Sequence, residues 1–423
     1  MFIKKFSLFK DNIFSGTIFV SAAIFLSSIF SYFLQYILSK YLTLSDFGTF
    51  NALLSLNILI GVFILVFSTS LIKLVSELMA HEQFDKLSRL FWELTAMALL
   101  FGVGMSFLFY IFSSELSKIF NISDSVLFMY FGILLLFTLL TAIPGAYLQG
   151  LLKFTDFSIF MIVSSFLRFI IPTIFIFAGY KVRGIFLGIS ISLVLSYLFS
   201  LLLLKKDFKP FAQSSMRPYF KELLLFSIPV FFVNIALNML NNVDIILVKK
   251  YFTETDSGLY AGIVTIGKIL LFGAGTVSAV MFPQISVAFA KKENFIPKLK
   301  LFLIFQLAVT FIGLLFYLFF PEFFVLMFTK RFSPAVPYLF QFSIFMALYV
   351  LLNFMVLFLL AVNRTKVFIF LIPGVILQFI LITYFHSSLN QVININIGVT
   401  TTLLIAVIIY TVFNVRISNN SSI

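Results

Sequence analysis

The chain has 423 residues, 61% of them hydrophobic and 11% charged, and a mean hydropathy of +1.13. No soluble core of this size buries so much apolar surface, so the composition excludes a soluble globular protein and points to a polytopic membrane protein. A net charge of +13 fits loop topology and contact with anionic lipid better than nucleic-acid binding, and the absence of cysteine excludes disulfides and thiolate metal sites.

A backbone in lipid forms helices or a closed barrel. Barrel strands alternate apolar and polar residues over about ten positions, whereas the apolar runs here are continuous over roughly twenty or more. The expected class is therefore an all-α polytopic membrane protein. Lys4, Lys5 and Lys10 precede an apolar run from Ile13 to Leu38. That run is too long for a signal peptide and no small-residue cleavage pattern follows it, so it is expected to remain as the first span. Breaks of charge, Pro and Gly then divide the chain into twelve spans at 13–38, 48–72, 92–113, 124–150, 157–179, 184–204, 222–248, 258–290, 299–320, 335–361, 367–386 and 395–414. This predicts an N-terminal six-helix bundle over 1–204, a charged cytoplasmic linker at 205–221, and a C-terminal six-helix bundle over 222–423.

Of the 29 Lys and Arg residues, 18 fall in the terminal segments and even-numbered loops and 8 in the odd-numbered loops. The positive-inside rule then places both termini in the cytoplasm. Two six-span halves entering the membrane in the same direction are parallel repeats. An internal match supports them: Lys40-Tyr-Leu-Thr-Leu-Ser-Asp-Phe-Gly-Thr-Phe50 recurs 210 residues later as Lys250-Tyr-Phe-Thr-Glu-Thr-Asp-Ser-Gly-Leu-Tyr260, and Ser76 and Ala80 match Ser286 and Ala290 at the same offset.

Polar groups mark the interior. Ser227, Asn234, Asn238 and Asn241 share a face of the seventh span, flanked by Asn242 and Asp244, and Ser27, Ser28, Ser31 and Gln35 form a stripe in the first. Such groups point to neighbouring helices, as interhelical hydrogen bonds, or to a wet cavity; two matched stripes favour a cavity between the halves. Arg168 and Lys268 lie near mid-membrane, where a charge costs roughly 2.5–3.5 kcal/mol on insertion scales and so faces protein or water. Two bases with no acid at their depth call for an anionic guest, and a diphosphate fits. The alternative is that Asp244 neutralises one of them or pairs with Lys249 or Lys250; Asp244 is otherwise a candidate ion-coupling group. Pro144-Gly145, Pro172, Pro229, Pro283 and Pro373-Gly374 can bend helices, and Gly258, Gly262, Gly267, Gly273 and Gly275 give the eighth span a thin surface for close packing. His81 and His386 are isolated, and no phosphate-binding glycine loop, carboxylate pair or Ser-His-Asp arrangement is present, so neither a catalytic site, a metal site nor an ATP site is expected.

Several segments resemble bacterial polysaccharide-biosynthesis flippases (O-antigen, capsule and teichuronic-acid exporters) of the multidrug/oligosaccharidyl-lipid/polysaccharide superfamily: Tyr36 to Asn51, Tyr147-Leu-Gln-Gly150, Asn241-Asn-Val-Asp-Ile-Ile-Leu247 and Gly258-Leu-Tyr-Ala261. The resemblance spans nearly the whole chain. It implies a cargo of short glycan on undecaprenyl diphosphate, alternating access around a cationic cavity, and residence in the bacterial inner membrane. It further implies a functional monomer working beside the glycosyltransferases and polymerase of its pathway, with no cofactor beyond an H+ or Na+ gradient. Arg168, Lys268, Asn234, Asn238, Asn241, Ser31 and Gln35 are the cavity candidates. The rival readings are a multidrug or toxin extruder of the same fold and a membrane glycan polymerase; the short outer loops argue against the latter.

Overall fold

The computed structural model describes residues 2–80, 83–205, 207, 231–290, 293–362 and 364–420. His81, Ser227, Pro229 and most of the charged link at 205–221 lie outside the described residues. The regular structure among the described residues is entirely helical. In chain order the helices are α1 (Phe2–Tyr41), α2 (Leu44–Ala80), α3 (Phe84–Ile111), α4 (Ser113–Ile119), α5 (Val126–Gly150), α6 (Phe154–Phe177), α7 (Val182–Leu204), α8 (Phe231–Leu240), α9 (Val243–Tyr251), α10 (Glu254–Ala290), α11 (Ile296–Phe319), α12 (Pro321–Phe328), α13 (Val336–Ala361), α14 (Phe368–Tyr384) and α15 (Leu389–Asn420). Eleven are long and apolar enough to cross a membrane, and α8 with α9 passes the same test as one bent span.

Within the described residues the predicted spans are recovered, with longer ends at α1, α2, α3 and α15, where polar residues continue the helical pattern past the apolar run. Two features depart from the sequence reading. The expected continuous helix at 222–248 is broken within its described part, where Phe231–Leu240 and Val243–Tyr251 meet at 45° across Asn241-Asn242. Short helices α4 and α12 follow α3 and α11, at corresponding places in the two repeats, and carry exposed Ile119, Phe323 and Leu326. Neither is long enough to span lipid, so hydropathy alone does not find them.

Two compact units account for the packing. Unit 1 comprises residues 1–42 and 63–228, and unit 2 comprises 43–62 and 229–423. In unit 1, α3 packs on α5, α5 on α7, α6 on α7 and α1 on α6. Its core gathers Leu71, Leu90, Phe91, Ile143 and Tyr147, with the Tyr147 hydroxyl donating to the Leu87 carbonyl at 3.0 Å. In unit 2, α11 packs on α13, α13 on α15, α14 on α15, and α10 on both α11 and α13. Third-with-fourth, fourth-with-sixth and fifth-with-sixth pairings thus recur in both, as repeats of one six-span plan require. Exposed Leu100, Phe101 and Phe107 on α3, and Ile304, Phe305 and Phe311 on α11, form the kind of apolar surface that faces lipid.

The repeated eleven residues are two helix starts. Asp46 accepts a hydrogen bond from the Thr43 hydroxyl at 2.8 Å and returns one from its backbone N–H to Thr43 Oγ1 at 3.1 Å. Thr253 and Asp256 repeat this at 2.7 and 3.1 Å. In each, the threonine hydroxyl caps one of the orphan N–H groups that open α2 and α10 and is itself held by the aspartate. Within unit 2 these two starts cross. A Cβ on Gly258 would stand 2.0 Å from the Leu44 carbonyl oxygen, and one on Gly48 would stand 2.8 Å from the Gly258 nitrogen. The Ser45 hydroxyl donates to Glu254 across the crossing at 2.6 Å. Further along α10, Gly262 and Gly267 admit the rings of Phe332 and Phe342 as expected, whereas Gly273 and Gly275 meet no described neighbour within 4 Å.

Candidate functional site

The break between α8 and α9 organises the site. Side-chain amides compete with backbone for hydrogen bonds, and two consecutive asparagines interrupt the ladder where the chain bends. In lipid the freed carbonyls need donors, because each unsatisfied group costs several kcal/mol. Tyr349 on α13 donates its hydroxyl to Leu237 O at 3.0 Å, and Gln378 on α14 donates an N–H to Leu240 O at 3.1 Å.

Asp244 opens α9 and has no exposed surface. Its Oδ2 accepts the Tyr260 hydroxyl at 2.6 Å and the Asn396 amide at 2.9 Å, and its Oδ1 accepts the Ile245 backbone N–H at 2.9 Å. The Gln378 amide that holds Leu240 also donates to Asn396 Oδ1 at 2.8 Å, so one side chain ties the broken backbone to the carboxylate cluster. A buried carboxylate is tolerable only with such donors, and the position at a helix N-terminus adds a favourable dipole. Asn396, Gln378 and Tyr260 were not among the sequence candidates.

Lys268 approaches the same break from α10. Lys268 is half-buried as a residue, and its ammonium donates to Asn242 Oδ1 at 2.9 Å and lies within electrostatic reach of Asp244. Among the described residues no carboxylate oxygen comes within 4 Å of it. Asp244 does not pair with its neighbours in sequence: Lys249 sits near Glu254 and Asp46, and the Lys250 ammonium lies 5.0 Å from the Tyr251 ring centre.

The asparagine stripe is partly self-contained. Asn238 Nδ2 donates to Asn234 O and Asn242 Nδ2 to Asn238 O, each at 2.9 Å, forming a ladder along one helix face that ends at Lys268. Asn241 lies in the break, its side-chain oxygen buried and accepting no hydrogen bond among the described residues. Gln378 Oε1 and Thr400 Oγ1, the latter one helical turn beyond Asn396, are likewise buried without a described partner.

In unit 1, Arg168 is exposed on α6, its Nε donating to Ser164 O at a long 3.4 Å, with no described carboxylate within 4 Å. Ser31 is exposed and bonds Ser27 O at 2.9 Å, Ser28 bonds Ile24 O, and Gln35 is half-buried. Ser27 reaches Met161 O on α6 at 3.5 Å. Within the first-span stripe, Ser28 and Ser31 are thus exposed and satisfied by their own helix backbone, unlike the enclosed network of unit 2. No group of three or more His, Cys, Asp or Glu able to hold a metal occurs among the described residues.

A model of the family described as polysaccharide biosynthesis protein matches residues 13–289. No curated protein matches this chain. Among solved structures, an inward-facing multidrug resistance MATE family transporter of the MOP superfamily is similar at 15% identity with a TM-score of 0.75, over 94% of this chain and 96% of that one. The lipid II flippase MurJ in an inward closed conformation is similar at 19% identity and a TM-score of 0.73, over 94% and 87%. A MOP superfamily transporter from Pyrococcus furiosus, described as having a binding pocket of reverse polarity, aligns at 15% identity and 0.62, over 95% of each chain. At such identities the likeness is one of fold: this chain has the MATE/MOP architecture.

Proposed function

The chain belongs to the polysaccharide biosynthesis protein family, and from that premise we propose a flippase that moves undecaprenyl-diphosphate-linked oligosaccharide repeat units across the bacterial cytoplasmic membrane by alternating access. The observation that carries this reading is Lys268. It is a half-buried lysine at a helix break, its ammonium held by a neutral amide, with no carboxylate within 4 Å among the described residues. A charge so placed in a membrane protein marks a substrate pathway, and its sign calls for an anion. A diphosphate supplies that anion next to a glycan whose hydroxyls can exchange hydrogen bonds with amides such as Asn234, Asn238 and Asn241. Arg168, exposed and without a described acidic partner, offers a second cation in unit 1. Both termini are placed in the cytoplasm on the strength of the loop charge, and the protein acts as a monomer beside the enzymes that build and polymerise the glycan. The shared fold with a protein named as a lipid II flippase supports a lipid-linked cargo.

Asp244 is the candidate for coupling. The carboxylate and the buried acceptor oxygens of Gln378 and Thr400 suit a proton or a sodium ion by donor type. The extruder alternative requires an acid presented to a cationic guest, and Asp244 is instead sealed beneath Tyr260 and Asn396.

The test is a strain deleted for this gene, with lipid-linked intermediates extracted and assayed by leaflet. A diphosphate-linked glycan stranded on the cytoplasmic face and cleared by the restored gene supports the reading. Normal glycan export with altered drug tolerance refutes it in favour of the extruder.

A further inference from the structure

The ammonium proposed to hold the cargo and the buried carboxylate meet at one helix break. Asn242 accepts Lys268 through its side-chain oxygen at 2.9 Å, and Asp244 lies two residues further on. Tyr260 and Lys268 stand two turns apart on α10, and helical side chains lean toward the helix N-terminus, which carries the Lys268 ammonium back toward the Tyr260–Asp244 pair. The two charges attract each other, yet the lysine bonds the amide and the carboxylate is met by three neutral donors. Lys268 is therefore the counter-charge of Asp244 without being locked to it. This arrangement leaves the ammonium able to serve a second anion.

Resting on the diphosphate reading of Lys268, we propose that Asp244 is a positioning residue that sets how tightly Lys268 grips an anionic cargo. While the carboxylate is charged, it shares the ammonium and keeps the grip weak enough for release. When the carboxylate is neutralised, the whole ammonium charge is available to the cargo and the grip tightens. Linkage makes the effect reciprocal: cargo on Lys268 withdraws the counter-charge and favours neutralisation of Asp244. Tyr260 and Asn396 set the balance, because each hydrogen bond they give to the carboxylate lessens its call on the lysine.

Two nearly isosteric changes should act with opposite signs. Asp244→Asn removes the competing charge and should tighten diphosphate binding on the order of tenfold. Measured at a pH where the carboxylate stays charged, Tyr260→Phe removes a donor, leaves the carboxylate more dependent on Lys268, and should weaken binding severalfold. Lys268→Gln should abolish it. The measurement is equilibrium binding of radiolabelled inorganic diphosphate to the purified full chain in detergent. Loss in Lys268→Gln with unchanged binding in both other variants overturns the linkage and leaves the diphosphate reading standing. Wild-type binding in Lys268→Gln overturns both. Weakening in both Asp244→Asn and Tyr260→Phe assigns the network a merely structural role and overturns the proposal. Should Asp244→Asn fail to fold, the sign in Tyr260→Phe still decides, since unchanged or tighter binding there refutes the linkage.

Discussion

Replacing Gly258 with Ala tests the packing at the crossing of α2 and α10. An added Cβ would lie 2.0 Å from the Leu44 carbonyl oxygen and 2.4 Å from its carbon, where ordinary contact begins at 3.4 Å. Both obstacles are backbone, so no rotamer relieves them and the helix starts must separate by about 1.4 Å. That shift also breaks the 2.6 Å bond between Ser45 and Glu254. Overpacking of this kind costs about 1–3 kcal/mol. Alanine recovers up to about 1 kcal/mol of helix propensity. The net loss of roughly 1–2 kcal/mol shifts the equilibrium between contacting and separated starts by about 5- to 30-fold. The chain has no cysteine, so a Ser45→Cys, Glu254→Cys pair is the sole target for a short bifunctional thiol reagent in native membranes. Gly258→Ala should slow cross-linking by up to that factor, while Gly273→Ala, where a Cβ meets nothing within 4 Å, should not. Equal rates in both backgrounds would refute the close-packed crossing.

Neutralising Lys268 or Arg168 to Gln should impair glycan export while leaving membrane insertion intact, read as surface glycan against protein level in the membrane; normal export from the double variant would sink the anion-binding role. Gln378→Leu strands Leu240 O and Asn396 Oδ1 at the break and should lower stability by about 1–3 kcal/mol, measured as a lower melting temperature in detergent. Lys153→Ala removes the 2.5 Å pair with Asp207, whose side chains are 29% and 26% exposed, so the loss should stay within about 1 kcal/mol and export should be unchanged. Leu152 holds a φ of +57° after α5, a conformation costing a non-glycine residue about 1–2 kcal/mol. Leu152→Gly should therefore raise the melting temperature, and a fall would show that its side chain contributes more than its backbone strain removes.

The internal repeat made the architecture legible through what matches, and the divergences mark the site. At the offset of 210, Thr43, Asp46 and Gly48 face Thr253, Asp256 and Gly258, and the structure uses these pairs identically as caps and crossing points. Asp244, Tyr260, Lys268 and Asn396 face Leu34, Phe50, Ile58 and Phe186, so the buried polar cluster stands where the other repeat is apolar. Gln378, which holds the break, faces Arg168, the exposed cation of unit 1. Reading the repeat for mismatches would have found Tyr260 and Asn396 beside Asp244. The break was hidden for a different reason. Hydropathy averages over a window and sees 222–248 as one apolar run, whereas the bend depends on Tyr349 and Gln378, distant in sequence, supplying the donors that the freed carbonyls require. A polar residue in an apolar helix is therefore best weighed against the backbone groups that its neighbours must satisfy. By that measure Gln378 is as much a part of the site as Lys268, since without it the backbone that positions Asn242 and Asp244 loses its only described side-chain donor to Leu240 O.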